Sequence, residues 1–263
     1  ITMLTLDGSE AGAATFNNKV VATELDISGD VDIDGTLETD AITLDGTSFI
    51  KLAGTNFTGS LLLGHATTGT LDAAEYNTGV GLTALDAITT GDNNTAVGYG
   101  ALTASTTGAR NVAVGVNAMS ALTSGQQNVA IGHGTLDNAN TSYNVAVGTD
   151  ALTDATGTSN TAFGHRAGYE VSSGDYNINI GYLAGDNITS GSGNVVIGKA
   201  DVASATGDDQ LSISDGEDGS VAWITGDSSG NLTFPADVTL GDDLVLDSDS
   251  AVLKFGDDQD VTL

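Results

Sequence analysis

Asn94-Thr95-Ala96-Val97-Gly98 returns as Asn111-Val112-Ala113-Val114-Gly115, as Asn128-Val129-Ala130-Ile131-Gly132 and as Asn144-Val145-Ala146-Val147-Gly148. The series runs on through Asn160-Thr161-Ala162-Phe163-Gly164, Asn177-Ile178-Asn179-Ile180-Gly181 and Asn194-Val195-Val196-Ile197-Gly198. Upstream, Asn77-Thr78-Gly79-Val80-Gly81 and the looser Ser60-Leu61-Leu62-Leu63-Gly64 make nine copies, with starts 16 or 17 residues apart. A unit this short cannot bury an apolar face alone, so the copies must stack on one another. The repeat predicts an all-β parallel β-roll, or solenoid, of about nine coils and no helix over 77–198. At ~4.8 Å per coil the stack is roughly 40 Å tall.

Read column by column from the Asn, each place has a structural task. The fifth place is glycine in all nine copies, Gly98, Gly115, Gly132 and Gly148 among them, as a strand end at positive φ or beside a close backbone neighbour requires. The opening Asn column, with Asn94, Asn111, Asn128 and Asn144, can hydrogen-bond along the stack as amide ladders do. Strand side chains alternate, so places two and four share one face. With Val112 and Val114 in those places, this face is expected to line the narrow core. The third place (Ala96, Ala113, Ala130, Ala146, Ala162) then faces outward as an apolar stripe, too small for a ligand pocket and shaped for packing against an identical chain. These five alanines are the expected interface of a homo-oligomer. Leu85, Leu102, Met119, Leu136 and Leu152 add one apolar residue per coil, expected on a second short strand.

Two columns invite chemistry. All three histidines, His65, His133 and His165, fall in the variable sixth place. His133 and His165 are two coils apart, roughly 10 Å, too far to share a zinc, so the column is expected to be tolerant and exposed. The Asn-x-Ser/Thr matches at Asn56, Asn93, Asn140, Asn187 and Asn231 are what an Asn- and Thr-rich repeat produces by chance.

The chain carries 35 acidic and six basic residues, for a net charge of −29. Nucleic-acid binding needs cations to displace counterions, and anionic membranes repel the same sign. No stretch approaches 18 uncharged apolar residues, so no membrane insertion is expected. With no cysteine there is neither a disulfide framework nor a thiolate metal site. The 36 glycines and single proline, Pro235, suit stacked ladders, because proline deletes a ladder donor. His-Glu-x-x-His and the full phosphate-binding Gly-x-x-x-x-Gly-Lys-[Ser/Thr] loop are missing. Carboxylates abound, but with aromatics at 5% no aromatic-lined sugar cleft is expected. The reading is of no enzyme, no catalytic residue and no cofactor or metal.

Three segments are expected: a β shaft over 1–58, the repeat domain over 59–203, and a second β shaft over 204–263. Gly12-Ala13-Ala14-Thr15-Phe16 is echoed by Gly230-Asn231-Leu232-Thr233-Phe234. Alternating stretches such as Leu25-Asp26-Ile27 and Leu244-Val245-Leu246 read as short strands with one wet face. None builds a core alone, so several chains are expected to intertwine there. The Asp-rich turns at Asp30-Val31-Asp32-Ile33-Asp34 and Asp257-Asp258-Gln259-Asp260 lack a calcium-loop pattern and read as solvated. The whole reads as a fragment of a longer chain.

The Asn-[Thr/Val]-Ala-[Val/Ile]-Gly unit, with Ala101-Leu102, Ala118-Met119 and Ala151-Leu152 downstream, resembles the head repeat of trimeric autotransporter adhesins of the YadA type. It is still more similar to the version in tail-fibre-like proteins of bacteriophages. The flanks Ser28-Gly29-Asp30-Val31-Asp32-Ile33-Asp34-Gly35-Thr36-Leu37 and Ala251-Val252-Leu253-Lys254-Phe255-Gly256 resemble fibre proteins of marine phages. The resemblance implies a left-handed roll, three chains around one axis, and an elongated fibre of the virion, in the tail or on the capsid. Its implied partners are the chain itself as a homotrimer, other virion structural proteins, and a host surface glycan or protein receptor whose binding residues are unknown. The alternative is a bacterial surface adhesin or matrix protein, extracellular or on the cell surface. An ice-binding solenoid is disfavoured, because Thr89-Thr90, Thr106-Thr107 and Thr123-Ser124 are adjacent rather than alternating.

Overall fold

Each repeat contributes one short strand, bounded by its Asn and its Gly, and the strands pair in sequence order. The computed structural model of the protein describes residues 42–44, 47–52, 60–63, 73–137, 140–235 and 238; these lie within the unit Asp40–Leu263. Two strands lead in, β1 (Ile42–Leu44) and β2 (Thr47–Leu52). Nine repeat strands follow: β3 (Leu61–Leu63), β4 (Thr78–Val80), β5 (Thr95–Val97), β6 (Val112–Val114), β7 (Val129–Ile131), β8 (Val145–Val147), β9 (Thr161–Phe163), β10 (Ile178–Ile180) and β11 (Val195–Ile197). Then come β12 (Leu211–Ser214), β13 (Ala222–Gly226) and β14 (Leu232–Thr233). All join one 14-stranded sheet in chain order, and among the described residues there is no helix.

From β3 to β12 every pairing is parallel and steps by one repeat, as in Ala113↔Ala130 and Val114↔Ile131. The result is a parallel β-solenoid of about eight turns. The coils beginning at Asn128 and Asn144 are one residue shorter, yet Val129↔Val145 and Val145↔Thr161 stay in register. The missing residue therefore comes out of the turns. At both ends the pairing reverses: β2 is antiparallel to β3, and β12–β13–β14 form an antiparallel meander.

The face assignment expected from the strand alternation is inverted. Ala96, Ala113, Ala130, Ala146 and Ala162 are all fully buried within a single chain, while Val112 and Val114 look outward and stay partly exposed. The alanines are therefore core residues and do not form an outward interface. The reason is the thinness of the coil. Leu85, Leu102, Met119, Leu136 and Leu152 are also fully buried and fill most of the interior. A Cβ on Gly79, in the alanine column, would stand 3.4 Å from Leu85 Cδ1. In the coils whose ninth place is leucine or methionine, the third place holds nothing larger than a methyl group.

The leucine column is a second correction, since it lies on turns and not on a strand. Leu85, Leu102, Met119, Leu136 and Leu152 have φ of 49–59°, the left-handed region that costs a branched residue about 1–2 kcal/mol. Two gains offset this. Each side chain is fully buried, worth about 2 kcal/mol, and each N–H donates to the next coil, as Leu102 does to Ala118 O at 3.0 Å.

The fifth-place glycines behave as the sequence requires. Gly98, Gly115, Gly132 and Gly148 have φ of 134–142°, and a Cβ on Gly98 would come within 2.7 Å of the Gly115 carbonyl carbon. The regions of Leu25, Asp30–Asp34, Leu244, Ala251 and Asp257–Asp260, and with them the Asp-rich turns, lie outside the described residues; of the two expected shafts, residues 42–44, 47–52, 204–235 and 238 are described.

Candidate functional site

The Asn column sits at the edge of the core and is fully buried. The Asn128 backbone N–H and its Nδ2 donate to Asn111 Oδ1 at 3.0 and 3.1 Å. Asn111 Nδ2 donates to Asn94 Oδ1 at 3.2 Å and to Gly125 O at 2.9 Å. All four bonding positions of the amide are thus used, which a buried amide requires. The ladder continues from Asn144 through Asn160 and Asn177 to Asn194. It ends one step later on Gln210, whose N–H and Nε2 reach Asn194 Oδ1 at 2.9 and 3.2 Å. Gln210 was missed in the sequence although Gln210-Leu211-Ser212-Ile213 starts 16 residues after Asn194; the spacing was the available signal.

The outer face of the sheet runs from β3 to β12 along the solenoid. Places two and four present Val, Ile, Thr and Phe from every coil, and the larger members are well exposed: Val97 36%, Ile131 41%, Phe163 57%, Ile180 41%. Leu82, Tyr99, Val116 and Tyr182 extend it on the sixth place, and Tyr143 and Tyr176 border the other edge. Nine inter-strand steps of ~4.8 Å make the strip about 43 Å long. At about 12 Å wide it covers on the order of 500 Å², near the upper limit for a monomer's largest apolar patch. No charged side chain occupies places two or four between Leu61 and Ile213.

The sixth-place residues line one border of this strip. His165 stacks on Tyr182 with ring centroids 5.5 Å apart, and Lys199 Nζ lies 5.6 Å from the same ring. His133 Nδ1 is 3.7 Å from Asp150. His65 lies outside the described residues. Among the described residues no three His, Cys, Asp or Glu side chains converge on a metal-sized site.

A smaller feature closes the C-terminal end, where a cleft of about 410 Å³ is lined by Leu183, Asp186, Lys199, Asp201 and Asp218. Burial, then the hydrogen bond with Asp201, raises the Asp186 carboxyl above the ordinary range. Arg166 and Lys199 pull it the other way. Beside it, the 215–221 loop is organised by Asp215, which accepts from the N–H groups of Val221, Asp218, Gly219 and Glu217 and is lowered to about 2.

No family model, no curated protein and no solved structure matches the chain.

Proposed function

We propose that this chain is a structural and adhesive fibre segment that acts as a homotrimer, carried on a virus particle in a phage tail or capsid fibre. One observation carries the reading: an uncharged apolar strip runs the length of the solenoid on its outer face. A polypeptide with 35 carboxylates that still leaves such a strip bare has a partner for it. A second copy is the natural partner, because it presents the same periodic surface, coil for coil. Three copies at about 500 Å² each bury on the order of 1,500 Å² in the whole trimer, about 500 Å² for each pair of chains, a small contact beside the usual pairwise interface. The number three and the left-handed sense follow the resemblance of the repeat to trimeric adhesin heads and phage fibres. The contact residues proposed are Val112, Val114, Val129, Ile131 and Phe163, in place of the alanine column.

In this reading the rod spaces and supports, and recognition of a host glycan or protein belongs to variable surface positions or to other domains. Every repeated column has a packing, ladder or turn role, so catalysis and a cofactor are not part of the proposal. Light scattering on the purified protein should give three chains per particle. A folded monomer at micromolar concentration would sink the trimer. Purified virus particles should contain the chain; its recovery from a bacterial cell surface instead would favour the adhesin alternative.

A further inference from the structure

Three buried third-place side chains near the ends of the stack break the alanine column, Leu62, Asn179 and Val196, and glycines stand opposite the first two. In the middle, places three and nine pair alanine with leucine or methionine: Ala96 with Leu102, Ala113 with Met119, Ala130 with Leu136, Ala146 with Leu152. These coils are interchangeable in shape. Near the N-terminal end the third place is Leu62, fully buried, and the next coil has Gly79 there; a Cβ on Gly79 would lie 2.5 Å from Leu62 Cδ2. Near the C-terminal end the third place is Asn179, fully buried, with neither its Oδ1 nor its Nδ2 hydrogen-bonded. There the ninth place switches from leucine to Gly168 and Gly185 in consecutive coils. A Cβ on Gly168 would lie 2.8 Å from Asn179 Nδ2, and one on Gly185 would collide with Oδ1. The amide plugs two slots that glycine leaves open, and both occur together only here.

A stack of near-identical coils has a specific hazard in folding. One coil can be extruded as a loop while its neighbours pair across the gap, since closing a 17-residue loop costs little more than closing a shorter one, and uniform strands specify register weakly. If the coil beginning at Asn160 were skipped, Asn179 would stand over Leu152 instead of Gly168. We propose that Leu62–Gly79 and Asn179–Gly168–Gly185 are register keys, paired core irregularities that admit only the native order of otherwise interchangeable coils. The unpartnered amide costs stability, as a single buried Asn does when it sets the register of a coiled coil, and in return it penalises the wrong stack.

The chain has no cysteine, so introduced pairs report stacking order directly. His165 and Tyr182 are neighbours, whereas Thr149 and Tyr182 lie two coils apart, about 10 Å and beyond disulfide reach. Thr149→Cys with Tyr182→Cys therefore links within one chain only when the intervening coil is skipped. After denaturation and oxidative refolding of the full chain, that intrachain disulfide should be a trace product in the native background. His165→Cys with Tyr182→Cys should form efficiently. Replacing the key by the mid-stack pattern (Asn179→Ala, Gly168→Leu, Gly185→Leu) should raise the Thr149–Tyr182 product about tenfold, the discrimination that overpacking Asn179 against Leu152 supplies. Asn179→Ala alone, which enlarges nothing, should move it in the same direction. Equal trace yields in all three backgrounds would overturn the proposal and leave the glycines as simple packing compensation.

Discussion

The inner and outer faces of the sheet are built from the same three-residue strands and obey opposite rules. Inside, Ala113 and Ala130 are small and fully buried; outside, Val112, Val114 and Ile131 are larger and partly exposed. In a globular domain the bulkier apolar residue is expected on the core side, because burial scales with apolar area. Here the interior is already occupied by the leucine column and the Asn ladder, and the sheet can come no closer than a methyl group allows. Size is therefore set by the space left over, and the larger side chains are free to serve the outer surface.

The contrast is sharpest at two adjacent residues. Ala130→Glu places a charge in the sealed core, so the chain's own solenoid should lose several kcal/mol, about 3–5, with an early cooperative loss of the β signal in circular dichroism. Ile131→Glu points the same charge outward. The fold of the single chain should survive, while light scattering shows association lost. If both variants melt alike, or if Ala130→Glu only dissociates the assembly, the assignment of the two faces fails.

Next in size is the ladder at the boundary between the faces. Asn111→Ala removes the acceptor of the Asn128 N–H and Nδ2 and the donor to Gly125 O. Leaving buried donors bare costs about 1–3 kcal/mol, readable as a lowered denaturant midpoint. A midpoint unchanged from wild type would show that the ladder is ornamental to stability.

Salt should act on the outer face and spare the inner one. The net charge of −29 opposes bringing like chains together, and raising the salt shortens the screening length from about 30 Å at 0.01 M to about 3 Å at 1 M. Association should strengthen over that range in sedimentation measurements, while unfolding of the Ala130 core responds far less. Association weakened by salt would point to charge pairing and not to the apolar strip.

The smallest effect is local and lies beyond the repeats, in the 215–221 loop. Asp215 is lowered to about 2 by four backbone N–H donors. A carboxylate with a depressed folded value contributes order above its ordinary 3.8 and loses it as the pH falls toward 2. Amide exchange of Glu217 to Val221 should accelerate between about pH 4 and pH 2, and Asp215→Asn should open the same loop at neutral pH. Asp186, raised by burial and Asp201, has the opposite sense: its neutral form fits the fold better, and that contribution is lost as the pH rises through its raised value.

The period of 16 or 17 residues, the parallel stacking, the turn role of Gly98 and its equivalents, and the Asn ladder were all legible in the chain. Each depends on a local or nearest-neighbour requirement that repeats with the sequence: a strand between two turns, a positive φ, an amide one coil away. Which face of the strand lies inside was not legible, because alternation shows that two faces differ without saying how much room either has. The leucines looked like a second strand because apolar periodicity does not reveal a left-handed φ held by a hydrogen bond to the next coil. Gln210 and the antiparallel ends belong to the same class, since a ladder ends where its neighbour's geometry ends and not where the consensus fades. Sequence alone thus determined that the chain stacks on itself. Only the tertiary structure decided what fills the narrow interior, and so which apolar stripe is left for a partner, because that depends on the volume between sheet and turns that no single column records.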